Sequence, residues 1–91
     1  MVISIGQIVI SKAGHDKDTW YIVLKQEGEY VYVTDGNLKL LDKPKKKKLK
    51  HLQITNYTDN ETKERLEKVM KITNADIRSV IVKYKNYAKG E

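Results

Sequence analysis

From Gly6 to Thr34 the apolar and polar positions alternate with a period of two, and beyond Tyr57 they recur every three or four residues. A period of two matches a strand and a period near 3.6 an amphipathic helix, so the chain reads as a β half followed by an α half. The first strand is predicted at Gly6-Gln7-Ile8-Val9-Ile10-Ser11, with Ile8 and Ile10 on one face. Lys12-Ala13-Gly14-His15-Asp16-Lys17-Asp18 breaks that pattern with turn-forming and charged residues. The second strand, Thr19-Trp20-Tyr21-Ile22-Val23-Leu24-Lys25, carries Trp20, Ile22 and Leu24 on one side and Tyr21 and Val23 on the other. Apolar residues on both faces call for a strand covered on both sides.

Gln26-Glu27-Gly28-Glu29 reads as a hairpin loop and Tyr30-Val31-Tyr32-Val33-Thr34 as a third strand. Asp35-Gly36 is a strong hairpin signal, which places a short fourth strand at Asn37-Leu38-Lys39-Leu40-Leu41. Leu49 through Thr55 returns to a strand pattern. Five short strands within about fifty residues predict a small five-stranded SH3-like barrel over residues 1–56.

Residues 57–91 are expected to form a C-terminal helical hairpin packed on or beside the barrel. Thr58-Asp59-Asn60-Glu61 offers N-cap chemistry, with Thr58 and Glu61 at capping-box spacing, ahead of a stripe of Leu66, Val69 and Met70. Ile72-Thr73-Asn74-Ala75-Asp76 interrupts and recaps. A second stripe then runs through Ile77, Val80, Ile81, Tyr84 and Ala88. The fold class is mostly β with α.

Charge adds a feature that the periodicity does not show. The 91 residues carry a formal charge of +6, but it is not spread evenly. Residues 1–42 hold four basic and six acidic side chains, 52–91 hold eight and six, and 43–51 hold six lysines with no acid. That segment, Lys43-Pro44-Lys45-Lys46-Lys47-Lys48-Leu49-Lys50-His51, is expected to form a solvated loop and edge between the last two strands. Clustered like charges repel one another and are neutralised best by a polyanion such as a phosphate backbone. Lysine on an edge also blocks unwanted strand pairing, which accounts for part of the run without any ligand.

The chain has no cysteine, so disulfides and thiolate metal sites are excluded. The opening Met1-Val2-Ile3-Ser4-Ile5-Gly6 lacks the basic region and long apolar run of a signal peptide. No segment approaches the roughly 20 apolar residues of a membrane helix. A cytoplasmic protein with no membrane partner is expected.

The run Gly6-Gln7-Ile8-Val9-Ile10-Ser11-Lys12-Ala13-Gly14-His15-Asp16-Lys17, continued by Tyr21-Ile22-Val23, resembles the KOW-motif family of ribosomal proteins and transcription elongation factors. The likeness covers roughly residues 5–54. It is nearest to bacterial KOW-domain RNA-binding proteins related to archaeal and eukaryotic large-subunit ribosomal proteins. The resemblance implies an SH3-like barrel and RNA binding, with the loop after the first strand among the contacting elements. Family members commonly carry a second glycine a few residues after Gly14, where this chain has Asp18. Aspartate tolerates the left-handed region better than most residues, so the turn can survive the change.

Candidate RNA-binding residues are therefore Lys12, His15 and Lys17 on that loop, and Lys43, Lys45, Lys46, Lys47, Lys48, Lys50 and His51 on the lysine run. Asp16 is read as a cap of the turn. Trp20, Tyr30 and Tyr32 could stack bases, although their alternation with Ile and Val suits a core or barrel wall. No catalytic residue, metal ligand set or cofactor motif emerges, and an enzyme is not expected. The expected partner of this monomer is RNA, ribosomal in kind, with ribosomal proteins as neighbours. The alternative is a protein-interaction module of the transcription or translation machinery that docks through the C-terminal helices.

Overall fold

A computed structural model describes residues 3–90 of the chain. Met1 and Val2, part of the opening stretch read for a signal peptide, lie outside the described residues. Five strands form one antiparallel sheet: β1 (Gln7–Ser11), β2 (Trp20–Glu27), β3 (Tyr30–Thr34), β4 (Lys45–Lys48) and β5 (Leu52–Thr58). Two helices follow, α1 (Asn60–Glu67) and α2 (Asn74–Lys89). The strand order is β4-β3-β2-β1-β5, so among the described residues β4 and β5 are the two edges and no ladder joins them. Among the described residues, no helix is long and apolar enough to cross a membrane.

Alternation along the strands sorts the core into two layers. Val9, Tyr21, Val23, Val31, Val33 and Leu52 form one buried cluster with Ile3. The opposite face contributes Ile8 and Ile22, which pack against Ile77 and Ile81 of α2. β2 is apolar on both sides because one face meets the inner cluster and the other meets α2. That inner cluster reaches from β3 to β5, so the sheet must curl around it.

Three expectations need correction. Residues 37–41 are not a strand. The Asp35 carboxylate accepts from the amides of Asn37 and Lys39, both at 2.9 Å. The Thr34 hydroxyl donates to the Lys39 carbonyl, and the Gly36 amide donates to the same oxygen at 3.2 Å. These bonds fold the segment on itself, so it makes an Asx-type loop instead of a two-residue hairpin.

The lysine run is not a solvated loop. Lys45–Lys48 is a strand paired with β3, Lys47 opposite Val31 and Lys48 opposite Tyr30. The last strand accordingly starts at Leu52, after a 3-10 turn at Leu49–His51.

α1 is capped by Asp59, not Thr58: its carboxylate accepts from the Thr62 amide at 3.1 Å and the Thr62 hydroxyl at 2.6 Å. The start of α2 follows the expected recapping, with Thr73 and Asp76 forming a capping box.

Candidate functional site

The loop between β1 and β2 turns on two left-handed residues, Gly14 at φ +86° and Asp18 at φ +74°. Asp18 therefore adopts the conformation that a glycine would favour, as its short polar side chain allows. The Asp18 amide donates to the Ser11 carbonyl at 2.8 Å, and the Ser11 amide donates to the Thr19 carbonyl at 2.9 Å. These bonds close the base of the loop. The Lys12 amide then reaches across to the His51 carbonyl at 2.8 Å. This bond sets the loop after β1 beside the 3-10 turn, joining the two basic segments that are 25 or more residues apart in sequence.

A second link lies beneath the surface. The Lys47 side chain is only 7% exposed, and its ammonium meets Asp16 Oδ1 at 2.8 Å. It also donates to Ser11 Oγ at 2.7 Å and to the Ala13 carbonyl at 3.3 Å. The Tyr21 hydroxyl donates to Asp16 Oδ2 at 2.6 Å. Burial alone would raise the Asp16 carboxyl, but the bonds from Lys47, Tyr21 and Ser11 outweigh it and hold it well below the usual carboxylate range. Burial and the same carboxylate push the Tyr21 phenol up. Asp16 is thus more than a turn cap, because it anchors the whole loop to β4.

Pairing with β3 divides the β4 lysines by face. Lys45 and Lys47 lie opposite Val33 and Val31, whose side chains are in the inner core. Lys46 and Lys48 lie opposite Tyr32 and Tyr30 on the outer face. The Lys46 ammonium sits 4.5 Å from the Tyr30 ring centre and 5.9 Å from that of Tyr32. Lys48 lies 6.0 Å from Tyr30, and Lys25 5.6 Å from Tyr32. α2 packs over Ile8 and Ile22, on β1 and β2, and the β3–β4 part of this face stays half-exposed. Cations over tyrosine faces at such positions contribute about 0.5–1 kcal/mol each.

The ten candidates therefore divide into three groups. Lys12, His15, Lys17, Lys43, Lys46, Lys50 and His51 are exposed. Lys45 and Lys48 are half-buried, and Lys47 is committed to the protein's own carboxylate. The structure brings Lys12, Lys50 and His51 together through the loop contact, with Lys48 adjoining the 3-10 turn. Lys43 is set apart, its amide bonded to the Leu40 carbonyl in the preceding loop.

Reading the sequence missed Lys25, and it offered Tyr30 and Tyr32 as base-stacking candidates without fixing whether they face the core or the outside. Their alternation with Val31 and Val33 was visible, but the side left open depends on where α2 lies. The α2 stripe offered for partner docking is largely internal, with Ile77 and Ile81 buried against the sheet. Among the described residues, no group of three or more His, Cys, Asp or Glu side chains could hold a metal ion. Comparison with the models of known protein families gives no match for this chain, and comparison with curated proteins gives none.

Proposed function

We propose that this chain is an RNA-binding protein, associated with ribosomal RNA, that acts as a cytoplasmic monomer without catalysis or cofactor. In this reading the curled sheet is an SH3-like barrel of the KOW type. Support for that type comes from β1 lying beside both β2 and β5, from one core cluster that draws on β1, β2, β3 and β5, and from the left-handed Gly14 and Asp18 in the loop after β1. The ribosomal association rests on the family resemblance of residues 5–54.

One observation carries the reading. The Lys12–His51 bond and the Lys47–Asp16 pair hold the loop after β1 against the lysine strand and the 3-10 turn, so that the exposed Lys12, Lys50 and His51 lie side by side. Exposed lysines held by a rigid scaffold neutralise phosphates at a lower entropic cost than lysines on a mobile tail.

Lys46, Lys48 and Lys50 of the run, with Lys12 and Lys17 of the loop after β1, are the five lysines left for phosphate on this surface. If all five make contact, the logarithm of affinity falls against the logarithm of salt with a slope near −3.5 to −4.5. Replacing Lys46, Lys48 and Lys50 with alanine flattens the slope by about 2–3 units and, with the cations over Tyr30 and Tyr32 gone, lowers the melting temperature by about 4–16 °C, so affinity is compared at a temperature where both proteins are folded. The assay is anisotropy with labelled ribosomal RNA over a salt series. Affinity equal to that of the unaltered protein at every salt concentration rejects the proposal.

A further inference from the structure

A groove of about 600 Å³ opens where the 3-10 turn meets β5, lined by Lys12, Glu29, Lys48, Leu49, Lys50, Leu52, Gln53 and Ile54. Its size falls within the range typical of small-ligand sites, about 300–1,000 Å³. Leu49, Leu52 and Ile54 belong to the edge of the inner core and give the groove an apolar floor. Lys12, Lys48 and Lys50 supply three cations against the single carboxylate of Glu29. The walls are fixed: the Leu49 amide donates to the Glu29 carbonyl at 2.7 Å and the Lys12 amide to the His51 carbonyl at 2.8 Å. The groove thus exists before any ligand arrives.

We infer that this groove receives the base of one unpaired nucleotide, with its flanking phosphates held by Lys12, Lys48 and Lys50. The inference rests on the RNA-binding reading and adds what kind of RNA is preferred. A nucleobase has two apolar faces and a polar edge, and the groove offers apolar side chains for a face and Glu29 and Gln53 for an edge. A paired base cannot reach it, because its faces are stacked and its edge is occupied. Charge selects the occupant. An acidic peptide would meet the same lysines, but the groove adjoins the β4 lysines and the loop after β1, so a polyanion bound on that surface runs over its mouth.

The test uses the full chain and two RNA hairpins, one fully paired and one with a single unpaired fluorescent purine analogue. The bulged hairpin binds about tenfold more tightly, and the fluorescence of the analogue changes on binding. Leu49→Asn and Ile54→Asn each bring the two affinities to within about twofold and abolish the fluorescence change. Gln53→Glu sets a second carboxylate beside Glu29 from an exposed position, repels the flanking phosphates and does the same, which covers the case in which the polar variants fail to fold. Lys17→Ala and Lys46→Ala, outside the groove, weaken both hairpins equally.

Tight binding of both hairpins without preference overturns the groove assignment and leaves the RNA reading standing. Binding of neither hairpin overturns both. A preference that survives all three groove variants overturns the assignment as well. An acidic peptide that binds the unaltered protein but not the groove variants, while both RNAs fail to bind, puts protein docking in its place.

Discussion

Four consecutive lysines look interchangeable in sequence, yet Lys47 should behave unlike its neighbours. Lys47→Met keeps most of the aliphatic stem and removes the ammonium. The Asp16 carboxylate is then left with only the neutral donors Tyr21 and Ser11. Breaking a fully buried pair costs about 3–5 kcal/mol. The Asp16 side chain is 16% exposed, so water partly replaces the lost partner. We expect about 2–3 kcal/mol.

A chain of this length is stable by roughly 5–14 kcal/mol, and each 1 kcal/mol shifts the melting temperature by about 4–8 °C. Lys47→Met should therefore melt about 10–20 °C lower, measured by circular dichroism with urea unfolding beside it. Adding Asp16→Asn should cost less than the sum of the two single changes, with a coupling of about 2 kcal/mol.

Acid gives a second readout. A depressed carboxyl contributes stability that is present above its unfolded value near 3.9 and lost as pH falls toward its folded value. Between about pH 5 and 2 the unaltered protein should lose more stability than Lys47→Met. Because the Lys47 ammonium is spent on Asp16, Lys47→Met should leave the salt slope within about half a unit of the original even where the loosened loop lowers affinity, whereas Lys46→Ala should reduce the slope by about one unit. A Lys47→Met protein within about 0.5 kcal/mol of the original in stability, but weakened for RNA, refutes this division of roles.

Three further changes test the scaffold. Val69 ends α1 at φ +55° and is 90% exposed, a β-branched side chain in the left-handed region with no packing in return. Val69→Gly should stabilise by about 1 kcal/mol in urea unfolding. Gly36 sits at φ +72°, and a Cβ there would overlap the Asn74 carbonyl oxygen and press on Ile77. Gly36→Ala should cost about 2–4 kcal/mol and loosen the start of α2, seen as faster amide exchange at Ile77 and Ile81. Asp59 caps α1 while accepting from Lys83 at 3.3 Å and Tyr84 at 3.2 Å. Burial would raise its carboxyl, but bonds from Thr62 and Lys83 bring it lower. Asp59→Ala should cost about 2–3 kcal/mol at neutral pH, a penalty that shrinks as acid protonates the original carboxylate.

Much of the β half was legible because local patterning and tertiary burial agree there. Tyr30–Thr34 is a strand at the expected residues, and β2 is covered on both sides as its composition demanded. The fourth strand was misplaced for a physical reason. Leu38 and Leu40 alternate like strand residues but are exposed, whereas Lys45–Lys48 has no apolar pattern and is a strand. A lysine turned into a core is not a local signal. Lys47 is buried because Asp16, 31 residues earlier, is buried beside it. The shared basic surface escaped notice similarly, since it depends on one backbone bond between Lys12 and His51. The α2 stripe was legible in period, and Ile77 and Ile81 pack it on the sheet, one of the two uses that the sequence left open.

The most direct measurement is a map of backbone amide signals by nuclear magnetic resonance as ribosomal RNA is added to the labelled protein. The account predicts that the largest changes fall on Lys12, His15, Lys17, Lys46, Lys48, Lys50 and His51, with α2 nearly silent. Changes confined to the exposed side of α2, around Val82 and Tyr87, or no change anywhere, would contradict it.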